Sequence, residues 1–280
     1  MIHFILTRFN LRLWPKDKNG ARIDRAAWLD GRMELFEKYC FPSVNRQSCK
    51  EFRWVLMLDD TTPERILTQL GSLKDKCPQM EILKVPVQYS THFAEFFRHF
   101  VERESEGEEK VITTYLDNDD ALSRDFVERI QAEAAGCGKR TVLTFAEGFQ
   151  YFTEMRIATR VAYPNNHFIS LVEGRDGLKT VYGLGSHYLL KAGSDLDVRS
   201  VDGLCWVEVV HSDNVDNDVK MTLKTGLVRD ADGFVRSFGE GFAFAARPRI
   251  VLLRKWVPRA SGQVLRRLKY KVKPRDWWGE

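Results

Sequence analysis

Short apolar runs alternate along the first half of this chain with segments whose apolar residues recur every three or four positions. Ile2 to Thr7 is an apolar run of the kind a buried strand requires, and a polar stretch from 10 to 25 predicts a loop. From Trp28 to Cys40 the apolar positions 28, 29, 33, 35, 36 and 39 predict a helix that stops before Pro42. Phe52 to Leu58 predicts a second strand, ending in Asp59-Asp60. Thr62 and Pro63 then read as an N-cap and first helical residue, with a helix to about Lys76. Glu81 to Val87 predicts a third strand, and Phe93, Phe96, Phe97 and Phe100 share one helical face. Val111 to Leu116 predicts a fourth strand, followed by Asp117-Asn118-Asp119-Asp120 and a helix from Arg124 to about Ala135, capped by Ser123 and stopped by Gly136.

Four strand–helix repeats in the first half predict βαβ units and a mostly parallel sheet. After Thr141 the pattern changes, and Val142 to Phe152, Ile157 to Val161, Val181 to Lys191 and Trp206 to Val210 predict strands of a mixed region. At 280 residues and 44% hydrophobic content the chain is an ordinary globular protein, which excludes disorder and disulfide-stapled miniproteins. No apolar run approaches the ~20 residues of a membrane span, and the start reads as a strand, not a signal peptide. Five scattered cysteines without a Cys-x-x-Cys pair argue against a zinc site and against a disulfide framework. Cys40 and Cys205 read as buried small hydrophobes. The expected setting is a cytoplasmic, reducing one.

Charge divides the chain. Eleven Lys or Arg and no acid lie between Arg247 and Arg275, so of 43 basic residues 32 remain elsewhere against 39 acidic, a net of −7. The expected organisation is a domain over residues 1–245 and a basic, aromatic tail over 246–280. In the tail Val264, Leu265, Leu268 and Val272 fall on one helical face among basic residues, with Trp256, Trp277 and Trp278 nearby. That pattern predicts contact with an anionic membrane surface, at its inner face; packing of the tail on the acidic body explains it equally. Nucleic acid is disfavoured by the acidic strand ends.

In an open parallel sheet ligands bind beyond the carboxyl ends of the strands. Asp59-Asp60 and Asp117 to Asp120 occupy two such ends, and acids converging there repel unless a cation or donor groups sit among them. Dense hard oxygen ligands suit Mg²⁺ or Mn²⁺ together with substrate phosphates. For Asp59-Asp60, helix capping and turn formation account for the residues equally well.

These landmarks resemble a known family. Pro42 to Gln47, Phe52 to Asp60 and Tyr115 to Leu122 are similar to the successive motifs of GT-A nucleotide-sugar glycosyltransferases. Thr7 to Asn10, Tyr39 to Val44 and Trp206 to Asn214 more closely resemble the bacterial "putative rhamnosyl transferase" family, in collinear order over residues 1 to about 218. The resemblance implies a GT-A fold: a Rossmann-like α/β domain with a mostly parallel central sheet, helices on both faces and a mixed acceptor-side region. It implies transfer of a sugar, rhamnose among the candidates, from a nucleotide diphosphate to a hydroxyl of a glycan or lipid-linked acceptor, as in polysaccharide synthesis. Asp117 and Asp119 match the Asp-x-Asp motif that holds Mn²⁺ or Mg²⁺ and the donor ribose. His211 matches a histidine that completes the metal site, with Asn214 beside it. Thr7 and Arg8 match positions near the nucleotide, and Asp59 or Asp60 matches a base contact.

Without the resemblance His211 reads as a strand-end hydrogen-bonding group, and Asp213, Asp216 and Asp218 as a solvated loop. His92, His99, His167 and His187 show no partner pattern and read as structural. Inverting transfer needs a carboxylate base. Asp202 is the first candidate, because its spacing before the Trp206–His211 segment resembles the family motif, and an ordinary Asp202-Gly203 turn accounts for it equally well; Glu208, Glu147 and Glu173 are the others. Phe149, Tyr151 and Phe152 are expected to dock the acceptor. Two other classes remain: a sugar nucleotidyltransferase, against which Thr7 to Asn10 offers no glycine to cradle a triphosphate, and a non-catalytic carbohydrate-binding protein. A haloacid-dehalogenase-type phosphatase lacks its spacing at Asp59-Asp60-Thr61.

Overall fold

Strands whose two faces are both covered must be apolar throughout, and the first strands obey this. β1 (Ile2–Arg8), β2 (Arg53–Asp59), β3 (Met80–Val85) and β4 (Lys110–Tyr115) run parallel, with β1 between β2 and β4. The structure, a computed structural model, describes residues 1–13, 24–138, 140–185, 196–211 and 226–251. Alternate residues leave the sheet on opposite sides. Ile5, Trp54, Leu56 and Ile112 pack with Leu29 and Met33 of α1 (Arg25–Leu35), Ile66 and Leu70 of α3 (Glu64–Lys74), and Phe126 and Ile130 of α5 (Phe126–Ala135). Phe4, Leu6, Val55 and Met57 pack with Phe97, Phe100 and Val101 of α4 (Phe93–Glu104).

Beyond β4 the sheet becomes mixed. β9 (Ile169–Gly174) is antiparallel to both β4 and β6 (Thr141–Thr144), and β10 (Asp197–Ser200) lies parallel to β6 at the edge. A second sheet orders β5 (Ala121–Leu122), β11 (Leu204–Val210), β7 (Glu147–Phe152) and β8 (Ile157–Ala162). Helix α6 (Ala231–Phe238) contributes Phe234 and Phe238 to the cluster that covers it. The result is the α/β organisation expected: a mostly parallel sheet clad on both faces, with a mixed second region.

Several local expectations change. The helix predicted to end before Pro42 continues through a π turn (Phe36–Cys40) into α2 (Phe41–Asn45). Pro42 has no N–H for the Lys38 carbonyl. That carbonyl instead faces Gly241, where a Cβ would lie only 1.8 Å away. Pro63 is the N-cap of α3, one residue later than expected. The run Val142 to Phe152 is divided between two sheets, β9, β10 and α6 add to the expected elements, and Val181–Leu184 is a 3₁₀ turn. Tyr151 and Phe152 are not an acceptor platform, because their rings are buried in core, and Phe149 is half-buried against it. Phe149 packs on Phe234 at 5.1 Å, Tyr151 on Phe242 at 5.0 Å, and Phe152 is buried with Met155 and Ile157. The tail predicted to meet a membrane lies, from residue 252, outside the described residues, as do His187, Asp213, Asn214, Asp216 and Asp218. Among the described residues no helix is long and apolar enough to cross a membrane.

One buried polar group has a consequence for stability. His3, 1% exposed, meets Thr114 Oγ1 through Nε2 at 2.7 Å, while its Nδ1 has no partner. Burial lowers its pKa from 6.5 to about 3. The unfolded chain therefore binds a proton that the native state refuses between those values, so stability is full above pH 6.5 and falls as pH drops toward 3. The expected slope is ~1.4 kcal/mol per pH unit in the middle of that window. Denaturant unfolding of the wild type and His3→Gln at pH 4.5 and 7 should show this slope reduced in the variant. Equal slopes would remove His3 as its source.

Candidate functional site

Because β1 lies between β2 and β4, the direction of the strand order reverses beside β1, and in such sheets the ligand crevice lies beyond the carboxyl ends of the strands at that point, here β1 and β4. Arg8 ends β1, and the Asp117–Asp120 segment leaves β4 and enters β5. This segment bridges the two sheets: Leu116 is core, Asn118 donates from Nδ2 to the Phe9 carbonyl at 2.5 Å, and Ala121 and Leu122 pair with Val207 and Trp206 of β11. The flanking acids are thereby aimed at different partners.

Asp117 Oδ1 accepts from Arg8 Nη2 at 3.3 Å and from the Tyr115 hydroxyl at 3.0 Å, and Arg8 also donates to that hydroxyl. The Arg8 guanidinium is enclosed by the rings of Phe93, Tyr115 and Tyr182, 5.0 to 5.3 Å from their centroids. Asp119 points elsewhere. Its Oδ2 accepts from Arg32 Nη1 at 2.5 Å and pairs with His211 Nε2 at 2.9 Å. Burial alone would raise the Asp119 pKa, but the Arg32 charge and the His211 hydrogen bond hold it well below the ordinary carboxylate range. Asp120 is 2% exposed; its Oδ1 accepts from Val209 N and its Oδ2 pairs with His167 Nε2, both at 2.8 Å. Burial, with Asp119 and Asp117 nearby, pushes its pKa up to about 7. For His167 burial is the largest influence and opposes protonation, yet the Asp120 hydrogen bond and charge raise its pKa to about 9. The pair holds its proton through neutral pH. The repulsion expected among these acids is thus offset from within the chain by two arginines and two histidines.

Asp117, Asp120 and His167 each offer one ligand atom, all within 4.8 Å of one another. Two carboxylate oxygens and an imidazole nitrogen suit Mn²⁺, with Mg²⁺ a harder fit to the nitrogen. Three ligands leave room for substrate oxygens. The grouping differs from the expected set of Asp117, Asp119 and His211: Asp119 instead pairs with both Arg32 and His211.

The other expected residues are distributed unevenly. Thr7 is fully buried and its Oγ1 accepts from Trp54 Nε1 at 3.0 Å, which ties β1 to β2 beneath the crevice. Asp59, 3% exposed, takes Thr61 N and Oγ1 on Oδ1 and faces Arg12 Nε across 3.6 Å. Asp60, just after β2, accepts from Val87 N beyond β3 at 2.9 Å, whereas Asp59 closes the turn after β2; both lie at the same end of the parallel strands as Asp117. Glu208, 3% exposed, accepts from Gln150 Nε2 at 2.8 Å, and its charge reaches His167. Asp202 is exposed before β11, where its carbonyl takes Arg129 Nη1 at 3.4 Å. A strand rises ~3.3 Å per residue, so Asp202 lies at the opposite end of β11 from His211 and is not brought to the cluster. Glu147 pairs with Arg160 at 2.5 Å, and Glu173 anchors the turn at Lys179 and Thr180 by accepting their N–H groups. Cys40 is buried, and burial with the three nearby acids pushes its thiol pKa up, so it is inert packing.

His167 and Arg32 are the site residues that sequence reasoning missed. His167 lies in the connection before β9, and nothing local marks it. Arg32 carried one faint signal, its i, i+4 spacing from Trp28, whose ring lies 5.3 Å from its guanidinium carbon.

Comparison with known proteins adds family information. Crystal structures of S. aureus TarS are similar at low levels: one of residues 1–349 at 12% identity and a TM-score of 0.43 over 75% of this chain, another at 12% and 0.38 over 75%. The alignments span 60% and 37% of those two chains. No curated protein matches the chain. A family model described as "Putative rhamnosyl transferase" matches residues 16–223, a span that contains Arg32, the whole Asp117–Asp120 segment, His167 and His211. The chain belongs to that rhamnosyl transferase family, and so to the glycosyltransferases.

Proposed function

We propose that this protein moves a sugar, rhamnose being the one its family name suggests, from a nucleotide diphosphate donor to a hydroxyl of a glycan or lipid-linked acceptor, assisted by Mn²⁺ or Mg²⁺. The observation that carries this reading is the convergence of Asp117, Asp120 and His167 beside Arg8 at the carboxyl edge of β1 and β4. Asp117, Asp120 and His167 are the residues that would hold the ion. When bound, it supplies positive charge to the diphosphate as the bond from the sugar C1 to the leaving oxygen breaks.

The chain's own groups account for the rest. Arg8 is aimed by Asp117 and Tyr115 and adds a fixed positive charge beside the leaving group. Asp119, kept ionised by Arg32 and His211, accepts a donor hydroxyl. Deprotonation of the acceptor needs a nearby carboxylate. Of the four carboxylates first considered, Glu208 lies electrostatically beside His167, whereas Asp202 sits at the far end of the strand.

The test is release of nucleoside diphosphate from a panel of dTDP- and UDP-sugars by the full chain, with Mn²⁺ or with EDTA. We expect release from at least one donor, strongly stimulated by Mn²⁺ and depressed in Asp120→Asn. A panel that yields no release and no donor binding overturns the reading. Release that ignores both EDTA and Asp120→Asn overturns its metal component.

A further inference from the structure

We propose that Arg32 is a diphosphate-binding residue, which with Arg8 brackets the donor's two phosphoryl groups; the inference rests on reading the crevice as a nucleotide-diphosphate site. The two acids of the Asp-x-Asp segment each hold an arginine: Asp117 holds Arg8 and Asp119 holds Arg32. Between them Asn118 is pinned to the Phe9 carbonyl and also accepts from Arg32 Nη1 at 3.3 Å. Each guanidinium is therefore anchored to one end of a segment three residues long.

Both are fixed in orientation by aromatic faces. Arg32 lies over Trp28, and Arg25 lies over the same indole, its carbon 5.6 Å from the ring. Only Nη1 of Arg32 is used. It serves Asp119 Oδ2 and Asn118 Oδ1, while Nη2 and Nε make no hydrogen bond to a described residue. Arginine–carboxylate pairs are frequently bidentate, the fork meeting both carboxylate oxygens. Here the acid offers one oxygen, and His211 shares it. The guanidinium is 11% exposed and carries five donors in a plane, so an anion with several acceptor oxygens is its natural complement. Two arginines anchored at the two ends of one three-residue segment suit a diphosphate better than a single phosphoryl group.

The experiment measures binding of inorganic pyrophosphate, UDP, dTDP and UMP to the full chain by calorimetry, in EDTA, and of the nucleotides again with Mn²⁺. Arg32→Ala should weaken pyrophosphate, UDP and dTDP by about tenfold, the scale of losing charge-assisted hydrogen bonds, in every condition used. UMP should change much less. Arg32→Lys should recover part of the loss, and Arg32→Gln, which keeps a donor for Asp119, should match Arg32→Ala on the diphosphates if charge on phosphate is the cause. Unchanged diphosphate affinity in Arg32→Ala, or an equal loss for UMP and UDP, would assign Arg32 to structure alone and end the proposal. Arg32-dependent pyrophosphate binding without nucleotide binding would uphold this inference while removing the donor reading. Nucleotide binding that ignores Arg32 does the reverse, and a wild type indifferent to every diphosphate overturns both.

Discussion

Asp117→Ala is expected to lower sugar transfer by ~100-fold or more, beyond the loss typical of an outer-shell partner of a metal site. Asp117 belongs to two arrangements at once: it is one of three ligand atoms grouped within 4.8 Å, and it aims Arg8. Its removal deletes a charge that would offset dehydration of a divalent ion and leaves Arg8 held by the Tyr115 hydroxyl and the surrounding rings. Initial rates and Mn²⁺ affinity should fall together, while thermal unfolding changes little because the side chain is one-third exposed. Asp202→Asn provides the contrast, with rates near those of the wild type. Transfer that survives in Asp117→Ala at wild-type Mn²⁺ affinity would remove this residue from the site.

A second large effect is expected far from the acids in sequence. Gly148 of β7 faces Trp206 of β11, where the strand register shifts between Leu204 and Val207, so the indole lies directly over the glycine. A Cβ at Gly148 would come within 2.2 Å of the ring. The indole cannot move cheaply: Nε1 donates to the Phe145 carbonyl at 2.8 Å, and the ring stacks on Phe168 with centroids 4.8 Å apart at 9°. Gly148→Ala should therefore cost ~1–3 kcal/mol, the range for overpacking a filled core. At this size that corresponds to roughly 2–4 °C of melting temperature per kcal/mol. The displacement should also reach the site, since Phe168 lies against His167 with ring centroids 4.2 Å apart. Calorimetric melting and Mn²⁺ titration of Gly148→Ala, with and without Trp206→Phe, should show a loss in both readings that the second change partly restores. An unshifted melting temperature would mean that the strands separate freely at this point.

Much of the parallel half of the molecule was readable locally. Strands buried on both faces must be apolar, and amphipathic helices must repeat near 3.6 residues, so β1 to β4, α3 and α5 were visible within a residue or two of their ends, and α4 by its apolar face. Where the reading broke, the cause was non-local. The stretch from Val142 to Phe152 is continuously strand-like, yet Phe145 and Ala146 carry the chain from one sheet to the other. Pro42 normally stops a helix, but a π turn and a glycine from residue 241 accommodate the carbonyl it leaves unserved. Aromatic residues on β7 looked like a docking surface because nothing nearby in sequence covers them, and α6 does so from about 80 residues away.

The sequence by itself determined that three acids would leave the end of one parallel strand, because strand–helix alternation sets strand direction and ligands meet such sheets at their carboxyl ends. Tertiary structure alone decided which cation each acid would meet. Asp119 reaches His211 across 92 residues and Arg32 across 87, and Asp120 reaches His167 across 47. Those partners depend on the pairing of β5 with β11 and on the packing of α1 against the sheet, and no local spacing encodes either. A carboxylate's affinity for an ion or a guanidinium depends on the few ångströms around it, so its role was settled only when these distant segments came together.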